Sequence, residues 1–170
     1  MHGLWPSLTS GKMMETCNQA KTIEVIEDGS EVFTEMDTYW RSVMGPNKSF
    51  WEHEYNKHGY CYAKKNKDFV VKNYFQVAMG LYKKLDLQEI ITKAFGNIEK
   101  NTVHYSYTEI KEALQKAAPQ LHLELSCSSK YKVQYLKEIR FLFDLDFNPK
   151  QDTSFRTDCN VSKEISIIYA

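Results

Sequence analysis

Apolar positions recur at helical spacing through the middle of this chain and at alternate positions toward its end. From Val32 to Val43, Phe33, Met36, Tyr39, Trp40 and Val43 fall on one helical face, and Gly45-Pro46-Asn47 ends the run. From Asp68 to Leu85, Phe69, Val70, Tyr74, Val77, Ala78, Leu81 and Leu85 form one apolar stripe, predicting a long helix. A short helix is expected from Gln88 to Phe95, stopped by Gly96-Asn97. Another opens at Ser106-Tyr107-Thr108-Glu109, where either Ser106 or Thr108 can cap it. Its buried face is Ile110, Ala113, Leu114 and Ala117. The period then changes. Leu121-His122-Leu123-Glu124-Leu125 alternates strictly and predicts a half-buried strand with His122 facing solvent. Tyr135–Asp146 and Ile165–Tyr169 read as further strands. Near the front, His2-Gly3 followed by Trp5-Pro6 reads as a strand leaving into a tight turn. Residues 8–22 read as loop with a short helix, Ile23–Ile26 as strand or loop staple, Asp28-Gly29-Ser30 as a turn, and His104 as lying in a loop. The fold class is α+β.

One stretch breaks the pattern. Phe50-Trp51-Glu52-His53-Glu54-Tyr55-Asn56-Lys57-His58-Gly59-Tyr60-Cys61 puts ionisable groups where a core helix wants apolar ones. As a helix it brings Glu54, Lys57 and His58 onto one face, with His53 meeting Lys57 at its edge, and Gly59 as a stop. Trp51 and Tyr55 anchor the other side. An acid, a cation and imidazoles on one patch suit proton transfer at a centre that is gaining negative charge. The bland alternative is a solvated charged helix whose aromatics are core. A zinc site resembles the pattern but fails on spacing. His53 and His58 are one residue further apart than in HExxH, which places them roughly 140° apart on an α-helix. No metal and no cofactor is expected.

The 170 residues fit one domain, residues 1–170. Lys+Arg and Asp+Glu both total 22, so the net charge is zero. That argues against gripping long nucleic acid through a broad basic surface, though not against a small phosphate site. Eleven Tyr, nine Phe and three Trp can build a core or a stacking surface. No apolar run is long enough to span a membrane, and the first residues carry no signal-peptide pattern. Cys17, Cys61, Cys127 and Cys159 lack a CxxC pair, leaving two disulfides or buried thiols. The sequons Asn47-Lys48-Ser49 and Asn160-Val161-Ser162 mark Asn47 and Asn160 as glycosylation candidates and favour secretion.

His2-Gly3-Leu4-Trp5-Pro6 and Phe50–Cys61, in this order and at this separation, resemble the two active-site segments of the ribonuclease T2 family. Tyr39-Trp40, the helix from Tyr74-Phe75 to Leu85, and the late strand Leu136–Asp144 are similar to the family as well, so the likeness covers nearly the whole chain. Tyr60 replaces the usual Thr or Ser, Tyr55 the usual Trp, and Leu142 stands where many members carry a further cysteine.

The resemblance implies a ribonuclease T2-like fold, a central antiparallel sheet packed with several helices. Family members carry a signal peptide and a first strand ahead of the His-Gly-Leu-Trp-Pro segment, so an N-terminally truncated member, its first strand missing, is expected. It implies a metal-independent endoribonuclease of low base specificity that cleaves single-stranded RNA by transphosphorylation to 2′,3′-cyclic phosphate ends. His2 matches the general base, His58 the general acid, Lys57 the stabiliser of negative charge, and Glu54 the carboxylate that holds them. His53 matches a phosphate-binding residue, and Trp5 and Phe50 match aromatics lining base sites. Cys17–Cys61 and Cys127–Cys159 resemble the family's disulfides. The implied setting is a monomer, secreted or lysosomal/vacuolar. Two other readings compete: an inactive member serving storage, signalling or interaction, and a metal-dependent hydrolase built on the near-HExxH stretch.

Overall fold

The structure, a computed structural model, describes residues 1–7, 29–65, 71–96, 103–151 and 157–167. The expected elements within residues 8–28, the start of the stripe at Asp68–Val70, and Cys17 lie outside the described residues. Contacts divide the chain into two units, Met1–Leu85 and Asp86–Ala170.

In the first unit, α1 (Glu31–Tyr39) starts where the Ser30 side chain accepts from the Phe33 N–H at 3.3 Å. It ends sooner than its apolar stripe predicts. Trp40 leaves the helix and is fully buried, whereas Val43 and Met44 are 98% and 87% exposed. The connection to α2 (Asn47–Glu54) is tied instead by polar groups. The Asn47 amide accepts from the Ser42 N–H at 2.8 Å and donates to Asp37 at 2.7 Å. A five-residue π-helical turn, Tyr55–Gly59, follows α2 and leads into α3 (Tyr60–Lys65). Gly59 is therefore not a helix stop. A Cβ there would lie 2.7 Å from Tyr55 and 2.8 Å from Tyr74, so the residue is glycine because two rings press on it. The next helix, α4 (Val71–Leu85), buries Tyr74, Phe75, Ala78, Met79 and Leu81. Of these, Tyr74, Phe75, Ala78 and Met79 join Trp40, Trp51 and Tyr55 in one core cluster that is mostly aromatic. Each such ring buries roughly 150–250 Å², which makes this layer the main apolar support of the unit.

In the second unit, α5 (Leu87–Phe95) is capped by Asp86 and closed by Gly96 at φ +73°. The helix α6 (Tyr107–Ala117) begins with a full capping box: Ser106 accepts from the Glu109 N–H and the Glu109 carboxylate accepts from the Ser106 N–H. Ser106, not Thr108, is the cap. Ser106→Ala is expected to lower stability by about 1 kcal/mol, read as a shift of the denaturant midpoint at unchanged slope. An unchanged midpoint would show that the box adds nothing.

The four-stranded sheet has the order β1-β4-β3-β2, from Val103–Tyr105, Ile165–Ile167, Val133–Leu142 and His122–Lys130. Pairs β1–β4 and β2–β3 are antiparallel, while β4 joins β3 in parallel through Gln134 and Tyr135. The sheet is thus mixed rather than purely antiparallel. Two further expectations change. His104 is on β1, not in a loop, and its ring lies 2.9 Å from the Ser166 hydroxyl. Strand β2 is not half-buried by alternation, because Glu124 is only 6% exposed. Helix α6 covers that face: Tyr107 donates to Glu124 at 2.7 Å and Lys111 pairs with its other oxygen. A buried carboxylate persists because it is paired and hydrogen-bonded. His122 is half-buried, its Nδ1 3.1 Å from Gln151. The Cys127–Cys159 disulfide links β2 to the segment before β4. Among the described residues, no helix is long and apolar enough to cross a membrane.

Candidate active site

The site lies wholly in the first unit and begins with a clamp on the front of the chain. Trp40 Nε1 donates to the His2 carbonyl at 2.7 Å, and the Tyr74 hydroxyl donates to the Leu4 carbonyl at 2.8 Å. Trp51 Nε1 in turn donates to the Trp40 carbonyl at 2.7 Å. Residues 2–4 are therefore fastened by backbone acceptors to buried aromatics. Burial, with the nearby charge of Glu54 adding to it, pushes the Tyr74 phenol well above its ordinary range. It stays protonated at any working pH and remains a donor. Nothing in the linear pattern marked Tyr74 or Trp40 as supports. Both read as core because both are core, and only the partner of the polar atom shows the second role.

The second half of the site comes from α2 and the π-turn. The Tyr60 N–H bonds to the Tyr55 carbonyl, five residues back, so the turn holds an extra residue relative to an α-helix. Glu54 and His58 both point inward, 1% and 4% exposed. Lys57 does not share their burial and is exposed on the turn, as is His53 on α2. The near-HExxH histidines therefore face different surroundings, one solvent and one interior.

Three ionisable groups converge. Glu54 Oε1 lies 3.4 Å from His2 Nε2, and Glu54 Oε2 lies 3.9 Å from His58 Nε2. Trp5 Nε1 donates to Oε2 at 2.9 Å. The Trp5 ring stacks on His58 with centroids 4.7 Å apart and meets His2 edge-on at 4.9 Å. Phe50, half-buried, lies parallel to the His2 ring at 6.1 Å. Of the seven residues singled out from the sequence, the structure gathers His2, Trp5, Phe50, Glu54 and His58, and leaves His53 and Lys57 on the solvent side.

The chemistry follows from exposure. The His2 side chain is 43% exposed and can meet a substrate from solution, while that of His58 is 3% exposed. One carboxylate lies within ion-pair range of two imidazoles, one at each of its oxygens. Such a pair can hold one neutral base and one charged acid together, which is the requirement for a proton taken at one atom and returned at another. Cys61, just beyond the π-turn, is buried and disulfide-bonded, and its expected partner Cys17 lies outside the described residues.

The sequence model of the Ribonuclease T2 family matches residues 1–160. Human ribonuclease T2 is 34% identical over 119 residues, covering 68% of this chain and 43% of the human protein. Ribonuclease T2 of Aspergillus oryzae is 32% identical over 128 residues, covering 67% of this chain and 46% of that protein. The chain thus spans less than half the length of these curated relatives. Among solved structures, a mutant of RNase MC1 in complex with 5′-UMP superposes with a TM-score of 0.75 at 25% identity, covering 99% of this chain and 81% of that one. Human RNase T2 superposes with a TM-score of 0.68 at 28% identity, covering 99% and 82%.

Proposed function

This chain belongs to the ribonuclease T2 family, and on that premise we propose that it is an endoribonuclease that cleaves single-stranded RNA by metal-independent transphosphorylation. The observation that carries the reading is the placement of His2 and His58 on the two oxygens of one buried carboxylate, at 3.4 and 3.9 Å. In this reading the neutral His2 imidazole takes the proton of the ribose 2′-hydroxyl. The 2′-oxygen bonds to phosphorus, and the bond from phosphorus to the 5′-oxygen breaks. Protonated His58 gives its proton to that departing oxygen. The products are a 2′,3′-cyclic phosphate and a 5′-hydroxyl end. No water is activated in this step, so no metal is needed to make a nucleophile.

Lys57 and His53 have a place in the same scheme. Both are exposed beside the inward pair, where cations can meet a phosphate that arrives from solvent. Trp5 and Phe50 offer rings near His2, and stacking on rings tolerates any base. Low base preference follows. The bound 5′-UMP of the RNase MC1 mutant is consistent with a nucleotide site on this fold. Secretion or an acidic compartment belongs to the same proposal, with glycosylation on the sequons. Asn160 is exposed with its amide oxygen on the Ser162 N–H, whereas the Asn47 amide already bridges Ser42 and Asp37. Asn160 is the better presented acceptor of the two.

The test is end-group analysis. Folded protein is incubated with a defined single-stranded RNA, with and without a chelator, and the new ends are identified. We expect 2′,3′-cyclic phosphates and 5′-hydroxyls at equal rates in both. Absence of cleavage, chelator-sensitive cleavage or 5′-phosphate ends would each overturn the proposal.

A further inference from the structure

We propose that Trp5 is a positioning residue that works through Glu54, beyond any stacking of a base, and that Gly3 is what permits it. The inference rests on the ribonuclease reading above for its kinetic readout, but its geometry stands independently. The Glu54 side chain is 2% exposed, so its carboxylate has little water to orient it. The last torsion of a glutamate is soft and roughly two-fold. Something must hold the plane if one oxygen is to face each imidazole. The Trp5 N–H does so, since it bonds Oε2 at 2.9 Å and leaves Oε1 for His2 at 3.4 Å.

The indole suits this task for two chemical reasons. It is a donor only, so it cannot accept a proton from either histidine or swap roles as an amide or hydroxyl could. A bond to an ionised carboxylate is charge-assisted, which makes it stronger than a neutral one. The ring is itself fixed, with one face stacked on His58 at 4.7 Å. Trp5 therefore touches His2, Glu54 and His58, and a base can use only the surface that His58 leaves uncovered.

Gly3 completes the device. A Cβ at Gly3 would lie 2.3 Å from Glu54 Oε2 and 2.7 Å from Trp5 Nε1. Any side chain would wedge between donor and acceptor. The glycine is needed for the approach of the carboxylate rather than for an unusual backbone angle.

The experiment is a double-mutant cycle with Trp5→Phe and Glu54→Gln, scored on a dinucleoside phosphate. Phenylalanine keeps a ring and loses the N–H. We expect Trp5→Phe to lower kcat about tenfold, the scale of a lost hydrogen bond to a charged group, with KM within about twofold of wild type. The double variant should lose no more than Glu54→Gln alone, to within about twofold. Gly3→Ala should match Trp5→Phe. Losses that multiply, or a raised KM at unchanged kcat, would overturn the proposal and leave Trp5 as a base platform only. If Trp5→Phe fails to fold, the Trp5 indole proton resonance decides: it should move when Glu54→Gln is introduced, and an unmoved resonance overturns the contact. If wild-type protein cleaves no RNA, the functional reading falls while this resonance still reports on the positioning bond.

Discussion

Replacing His58 with alanine should abolish turnover while RNA binding persists. The kcat on single-stranded RNA is expected to fall by about 10³–10⁴, the upper range for loss of a positioned general acid. Binding is read with an oligonucleotide whose ribose at the scissile position lacks the 2′-hydroxyl, and its affinity should change by less than about threefold, because His58 is buried and, in the proposed reaction, meets the substrate only at the leaving oxygen. The assignment of His58 as the acid has a sharper check. A nucleoside 3′-(4-nitrophenyl phosphate) releases a leaving group that needs no proton. His58→Ala should cleave this ester nearly as fast as wild type, whereas His2→Ala should not, because the 2′-hydroxyl still needs its base. Equal losses on both substrates would mean that His58 is not the acid. Alanine also leaves space beneath Trp5, which stacks on the imidazole at 4.7 Å. A melting curve must therefore accompany the kinetics, to separate a missing proton from a collapsed site.

Part of this site was legible because its chemistry is incompatible with burial by default. The ionisable residues of Phe50–Cys61 stand where apolar ones belong, and that conflict by itself points to a function. What failed was geometry at finer scale. A periodicity of 3.6 places Glu54, Lys57 and His58 on one face, but the π-turn Tyr55–Gly59 adds a residue, buries Glu54 and His58, and leaves Lys57 exposed. No spacing rule shows that change, and Gly59 within the turn is glycine because Tyr55 and Tyr74 leave no room for a Cβ. The same limit appears away from the site. Glu124 alternates as an outward residue of β2, yet α6 supplies Tyr107 and Lys111 to cover it. Val43 continues a helical stripe, yet the helix ends once Trp40 turns inward to bond the His2 carbonyl. Local pattern identified most of the elements, though not β1 or the π-turn; which faces they cover was decided by residues elsewhere in the chain.

Trp40 therefore supports the second large expectation, since it holds His2, the proposed general base, through the backbone. The His2 side chain is 43% exposed, with Trp5 and Phe50 beside its ring. Side-chain packing alone is a weak hold for a group that must meet a 2′-hydroxyl within hydrogen-bond reach. The stronger hold is the 2.7 Å bond from Trp40 Nε1 to the His2 carbonyl, made by a fully buried indole whose ring packs on Phe75 at 5.3 Å. Trp40→Phe keeps an aromatic in the core and removes that donor. Stability should fall by about 2 kcal/mol, from the lost bond and the smaller ring together. The kcat should fall by about 10²-fold, the scale on which a displacement near 1 Å acts, while KM stays close to wild type. Tyr74→Phe offers the comparison, because it frees the Leu4 carbonyl two residues further on and should act in the same direction to a smaller extent. Both are measured in single-turnover cleavage of a dinucleoside phosphate well below the melting transition, so that only folded protein contributes. A Trp40→Phe protein that melts earlier yet retains full kcat would show that the indole serves the core alone. Trp5, Phe50 and Glu54 would then be enough to place His2.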